Sequence, residues 1–119
     1  VKVAIPYVKG SLKNIDKDGD GVPDHIQFKL VNHIGSGSVY VSRVQVLVNG
    51  EDLTENTTFK IGDSPPRPAK APGYVSSNYG DEILVEIKHN GKIGPGRHKI
   101  KLAVESSFGP YVLEFEDTI

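Results

Sequence analysis

Four aspartates crowd the stretch from Asp16 to Asp24, DKDGDGVPD, and their spacing is that of a calcium loop. A hard cation such as calcium takes six to eight oxygen ligands at about 2.3–2.6 Å, and alternate aspartates on a tight loop can converge on one ion. Counted as such a loop, Asp16, Asp18 and Asp20 fall at positions 1, 3 and 5. Gly21 follows at position 6, where the sharp turn asks for a residue without a side chain. Val22 would lend its backbone carbonyl at position 7, and Asp24 would bind at position 9 directly or through water. Position 12 holds Gln27, where an EF-hand carries a bidentate glutamate, and no helix-forming run flanks the loop. A further donor could come from Glu114, Glu116 or Asp117 if the last strand passes near Asp24. The competing reading of the same residues is an acidic Asp-Gly turn solvated by water.

Over these nine residues the chain resembles the D-x-D-G-D-G-x-x-D loops of thrombospondin type 3 repeats and dockerin-like segments. The resemblance implies a bound calcium ion that fixes shape, here the entry to the following strand, and performs no catalysis.

Other chemistries find less support. His25, His33, His89 and His98 show no metal-ligand spacing such as H-x-x-x-H, and each reads as a strand-end or core residue. There is no G-x-S-x-G elbow and no serine in a nucleophile context. Glu82, Glu86, Glu105, Glu114, Glu116 and Asp117 are placed by alternation mostly on solvent faces. The chain therefore reads as non-catalytic. Asn56-Thr57-Thr58 is an N-glycosylation sequon near a turn.

The elements that must position these residues are strands. The 119 residues form one domain, long enough to bury a core without staples. With no cysteine, the redox compartment is not legible, and the net charge of −1 argues against a nucleic-acid partner. No apolar run approaches the roughly 20 residues that span a bilayer. The sequence starts at Val1 and has no methionine, which reads as a processed or excised chain; a removed leader would fit an extracellular or cell-surface place, and an ordinary trimmed start residue would look the same.

Thirteen glycines and eight prolines punctuate short runs rich in Val, Ile, Phe and Tyr, which predicts an all-β domain. Val1 to Val8 reads as a first strand with Val3, Ile5 and Tyr7 on one face. Pro6 lacks an amide donor and assigns it to an edge, where it could instead be donated to a neighbouring subunit. His25 to His33 alternates with Ile26, Phe28 and Leu30 inward. After a flexible turn at Gly35 to Ser38, a long strand runs from Val39 to Val48 with a β-bulge near Ser42, where the alternation slips. Asn49-Gly50 is a two-residue hairpin signal, and a short strand follows from Thr57 to Ile61.

Gly62 to Gly80 reads as a long Pro-rich loop, with Tyr74 and Tyr79 as candidate partner contacts; the plainer reading is a spacer crossing one end of the fold. Strands from Glu82 to His89, Arg97 to Val104 and Tyr111 to Phe115 complete the chain, with turns at Asn90-Gly91 and Gly94 to Gly96 between the first two. Seven to nine strands at this spacing predict a single antiparallel β-sandwich, Ig-like or jelly-roll.

Across most of its length the chain also resembles the small β subunit of bacterial C-glycoside deglycosidases. The similarity rests on Gly10 to Asn14, the strand His25 to Leu30, the hairpin Val46 to Glu51 and Gly94 to His98, in that order. It implies a β-sandwich accessory subunit beside a catalytic subunit. The Tyr-Arg-Gly segment of that family is replaced by Ile34 to Gly37, and no residue role is carried over. Two functions follow as expectations. One is a calcium-stabilised extracellular β-sandwich for assembly or adhesion, partnered by copies of itself or a larger surface protein. The other is an accessory subunit of a carbohydrate-active enzyme. A carbohydrate-binding module ranks third, because the chain has no tryptophan and few tyrosines for an aromatic platform.

Overall fold

The computed structural model describes residues 7–8, 10–16, 19–21, 24–32, 36–89, 96–107 and 109–118. Among the described residues, ten strands make two antiparallel sheets that pack face to face, and there is no α-helix. The expected all-β sandwich is what the chain forms.

The first sheet is built around β2 (His25–Val31), whose alternation buries Ile26, Phe28 and Leu30. On one side β2 carries β1 (Lys13–Ile15), with Asn14 opposite Ile26. On the other it carries β8 (Glu82–Lys88), which places Val85 opposite Phe28. β5 (Thr57–Ile61) and the two-residue β6 (Arg67–Pro68) complete the order β1-β2-β8-β5-β6. The second sheet has the order β10-β9-β3-β4, from β10 (Gly109–Thr118), β9 (Arg97–Ser106), β3 (Gly37–Val48) and β4 (Glu51–Asp52). Its inward residues are Val46, Val48, Ile100, Leu102, Leu113 and Phe115. Every long strand thus contributes alternate residues to one core, the form of burial a two-layer sandwich requires.

The bulge falls where the alternation slips. The register of β3 on β9 shifts between Val41 and Arg43, and the extra residue Ser42 donates its hydroxyl to the carbonyl of Glu105 at 3.1 Å. At the far end of β3, Asn49-Gly50 closes the hairpin to β4 with φ of 53° and 86°. Both residues lie in the left-handed region, as a type I′ turn demands. Asn49 does more than turn the chain: its Oδ1 accepts the amide of Lys99 at 2.9 Å and its Nδ2 donates to Nδ1 of the buried His98 at 2.9 Å. That donation fixes the ring proton of neutral His98 on Nε2. Asn49→Ala is expected to cost about 1–2 kcal/mol, from strained left-handed backbone and the lost side-chain bonds. Urea unfolding followed by circular dichroism measures it.

Gly62 to Gly80 differs from the expected loop. It holds β6 and β7 (Gly73–Ser77), and β7 pairs with the first half of β3 from Gly37↔Ser77 to Val41↔Gly73. The segment starts beside β5 in the first sheet and ends beside β3 in the second, so it also bridges the layers. Arg67 secures the crossing by donating to the carbonyls of Tyr74 at 2.8 Å and Ala71 at 3.3 Å.

Candidate functional site

The aspartate loop connects two adjacent antiparallel strands, β1 and β2. The amide of Asp24 donates to the carbonyl of Ile15 at 2.9 Å, which closes the loop at its base. The amide of His89, just beyond β8, donates to the carbonyl of Asp24 at 2.9 Å. Within the loop the chain turns around Asp16: Oδ1 accepts the amide of Gly19 at 2.9 Å and Oδ2 that of Gly21 at 2.7 Å. Both glycines are left-handed, at φ 77° and 85°, where an ordinary side chain would cost roughly 1–2 kcal/mol. The spacing D-x-x-G-x-G is therefore what allows the backbone to wrap one carboxylate.

The donor chemistry suits calcium. Carboxylate oxygens are hard ligands, and an oxygen that accepts one amide keeps a second lone pair. Asp20 is exposed on the same turn, whereas Asp24 points Oδ1 at Nδ1 of His25, 2.8 Å away. Asp18 and Val22 lie outside the described residues. Among the described residues, no group of three or more Asp, Glu or His is disposed around one point. The acidic end of β10 is engaged elsewhere. Glu114 pairs with Lys99 at 2.9 Å, Glu116 with Arg97 at 3.4 Å, and Asp117 accepts from Tyr7 and from the amide of Gly10.

Of the residues expected to face a partner, Val3 and Ile5 lie outside the described residues, as does the rest of the first strand candidate before Tyr7. Tyr7 bridges to Leu30 and stacks on Phe115 with ring centroids 3.8 Å apart, so its ring packs against its own core. Its hydroxyl donates to Asp117 at 2.5 Å and accepts the amide of Leu12 at 3.2 Å. Burial above all, and then the bond to the Asp117 carboxylate, push the phenol up to about 12. Tyr74 and Tyr79 are 76% and 65% exposed. Asn56 is exposed at the end of a 3-10 turn (Thr54–Asn56), while Thr58, the third residue of its sequon, is part-buried within β5.

The antiparallel ribbon of β3 and β7 gathers residues that strand-by-strand reading keeps apart. Tyr40 pairs with Tyr74 edge to face, centroids 5.2 Å apart, and Ser38 pairs with Ser76 at 2.6 Å. The signal was present as a mirrored tripeptide, Ser38-Val39-Tyr40 against Tyr74-Val75-Ser76, which antiparallel pairing sets like against like.

No protein-family model matches the chain, and no curated protein matches it. Among solved structures it is similar to a family 123 glycoside hydrolase from Clostridium perfringens, whose structural analysis concerned glycolipid glycan hydrolysis. The identity is 13% and the TM-score 0.41, over 80% of this chain and 20% of that one. The chain thus spans about a fifth of that protein's length, and no functional residue is transferred from it.

Proposed function

We propose that this chain is a non-catalytic, calcium-stabilised β-sandwich that works in assembly or adhesion outside the cell, as a subunit of a surface layer or filament or as a module of a surface protein. The observation that carries the reading is the wrapped carboxylate of Asp16, held by two left-handed glycines between β1 and β2. Asp16, Asp18, Asp20 and Asp24, with the carbonyl of Val22, would hold the ion. When bound, calcium supplies positive charge to a cluster of like charges and a crosslink across the base of the loop. Asp16 already orients the loop by accepting the amides of Gly19 and Gly21, and the backbone bonds of Asp24 to Ile15 and His89 pass that order to β2 and β8.

Assembly in this reading uses a sheet edge. Residues Val1 to Pro6, ahead of the anchored Tyr7, would complete the sheet of a neighbouring copy, with Val3 and Ile5 seated on its core. Light scattering after size exclusion tests this with a chain lacking residues 1–6, which spares Tyr7 and its packing. The expected result is a mass that falls from an oligomer to one chain. An unchanged mass would refute strand donation and turn attention to a catalytic partner subunit.

A further inference from the structure

The end of the sandwich opposite the aspartate loop carries a second feature. β2 runs away from the loop to Val31, and Asn32 beyond it donates to Oγ of Ser77 at 2.9 Å and to the carbonyl of Asn78 at 3.1 Å. Beside these lies an open cleft of about 610 Å³, formed by the start of β3, the end of β5, the end of β7 and the turn before β8. Its size falls within the roughly 300–1,000 Å³ typical of ligand clefts.

We propose that this cleft binds a neutral oligosaccharide, with sugar hydroxyls on Ser38, Ser76 and Asp63 and a pyranose face against Tyr74. The lining supplies the chemistry. Ser38 and Ser76 share one hydrogen between hydroxyls 2.6 Å apart, so the pair keeps one proton to donate and lone pairs to accept. Asp63 is exposed and accepts no hydrogen bond from the described residues, leaving both oxygens for vicinal hydroxyls. Asp81 is partly engaged, taking the amide of Asn78 at 2.8 Å, and holds the rim in shape.

The neighbouring aromatic pair completes the site. Tyr74 stands two residues from Ser76 on the same face of β7, and Tyr40 two from Ser38 on β3, so the pair lies just beyond the cleft's own lining, next along the same exposed face of the ribbon. Edge contact from Tyr40 holds the Tyr74 ring while leaving it 76% exposed. An aromatic face is electronegative and suits the C–H-rich face of a sugar ring.

The same lining selects against other ligands. Among the described residues it contains two carboxylates and no Lys, Arg or His, which repels anionic sugars and phosphates. Ile61 is the one large apolar residue among the described residues that line it, too little for an apolar ligand. This inference goes beyond the calcium reading and uses none of the loop residues.

The test is binding to an immobilised panel of neutral hexasaccharides (β-1,4-glucan, β-1,4-xylan and α-mannan) with hexagalacturonate as the acidic counterpart, in calcium and again in EGTA. Retention on at least one neutral chain, none on hexagalacturonate, and about a tenfold weakening by Tyr74→Ala or by Ser38→Ala with Ser76→Ala is the expected result. These side chains are exposed, and unchanged melting curves will show that the variants fold. Absence of neutral binding at millimolar sugar, equal binding of hexagalacturonate, or binding insensitive to the variants would overturn the proposal. Because the loop is tested separately by calcium, failure here leaves that reading standing.

Discussion

Tyr7→Ala is expected to lower the unfolding free energy by about 3 kcal/mol, at the lower end of the range for deleting a packed aromatic ring. The ring lies flat on Phe115 at 3.8 Å and meets Phe28 edge-on at 6.3 Å, so its removal opens a hole beside both. It also strips Asp117 of a hydroxyl donor and Leu12 of an acceptor. Small domains carry about 5–15 kcal/mol in all, so the loss is severe for a residue at the edge of a sheet. Tyr7→Phe keeps the stack and is expected to cost about 1.5–2 kcal/mol, the lower part of the range for a hydrogen bond to a charged group.

The two variants also separate in alkali. An unfolded tyrosine titrates near 10, whereas Tyr7 in the fold is pushed up to about 12. Between those values the unfolded chain has released the proton and the native chain still holds it. Stability from this group is therefore complete below about pH 10 and is lost as the pH rises toward about 12. Urea midpoints of the wild type should fall more across this window than those of Tyr7→Phe, which has no proton to lose. Parallel curves would show that the phenol is not held as described.

Calcium is expected to raise the melting temperature by roughly 10 °C when present at 100 times its dissociation constant. The linkage is worth about 2.7 kcal/mol, and a domain of this length shifts by a few degrees per kcal/mol. Asp16→Asn is the informative variant. Its amide oxygen still accepts one backbone N–H, so in EGTA it should melt within a few degrees of the wild type, yet the calcium shift should vanish. A calcium shift that survives in Asp16→Asn would place the ion elsewhere. Loss of stability in EGTA alone would make Asp16 a turn-former and nothing more.

Much of the architecture was legible because period-two burial and turn chemistry are local. Ile26, Phe28 and Leu30 announce β2, the slip at Ser42 announces the bulge, and Asn49-Gly50 announces a hairpin that the backbone angles match. The segment from Gly62 to Gly80 was not legible as strand. Serines and glycines in Gly73–Ser77 give no hydrophobic alternation, and their pairing partner opens with Gly37 and Ser38, which read as a turn. Only the mirrored tripeptides point to the pairing, and they lie 34 positions or more apart.

Tyr7 shows a second limit. Its position on an alternating N-terminal run suggested a face for a partner. Its stacking on Phe115 and its bond to Asp117, 110 positions away, come from the two chain ends meeting across the layers. The polar cleft has the same origin, because its walls come from four separate segments. The aspartate loop is the opposite case: its residues are contiguous, and the wrap of Gly19 and Gly21 around Asp16 follows from their order.

The measurement that bears most directly on the central claim is a calorimetric titration of calcium into the chelator-treated chain, beside the variant carrying both Asp18→Ala and Asp20→Ala. The calcium-clamp account predicts saturable heat for one ion per chain, absent from the variant, with the variant still folded in EGTA. A wild type that gives no saturable heat at millimolar calcium, or a variant that binds as the wild type does, would contradict it.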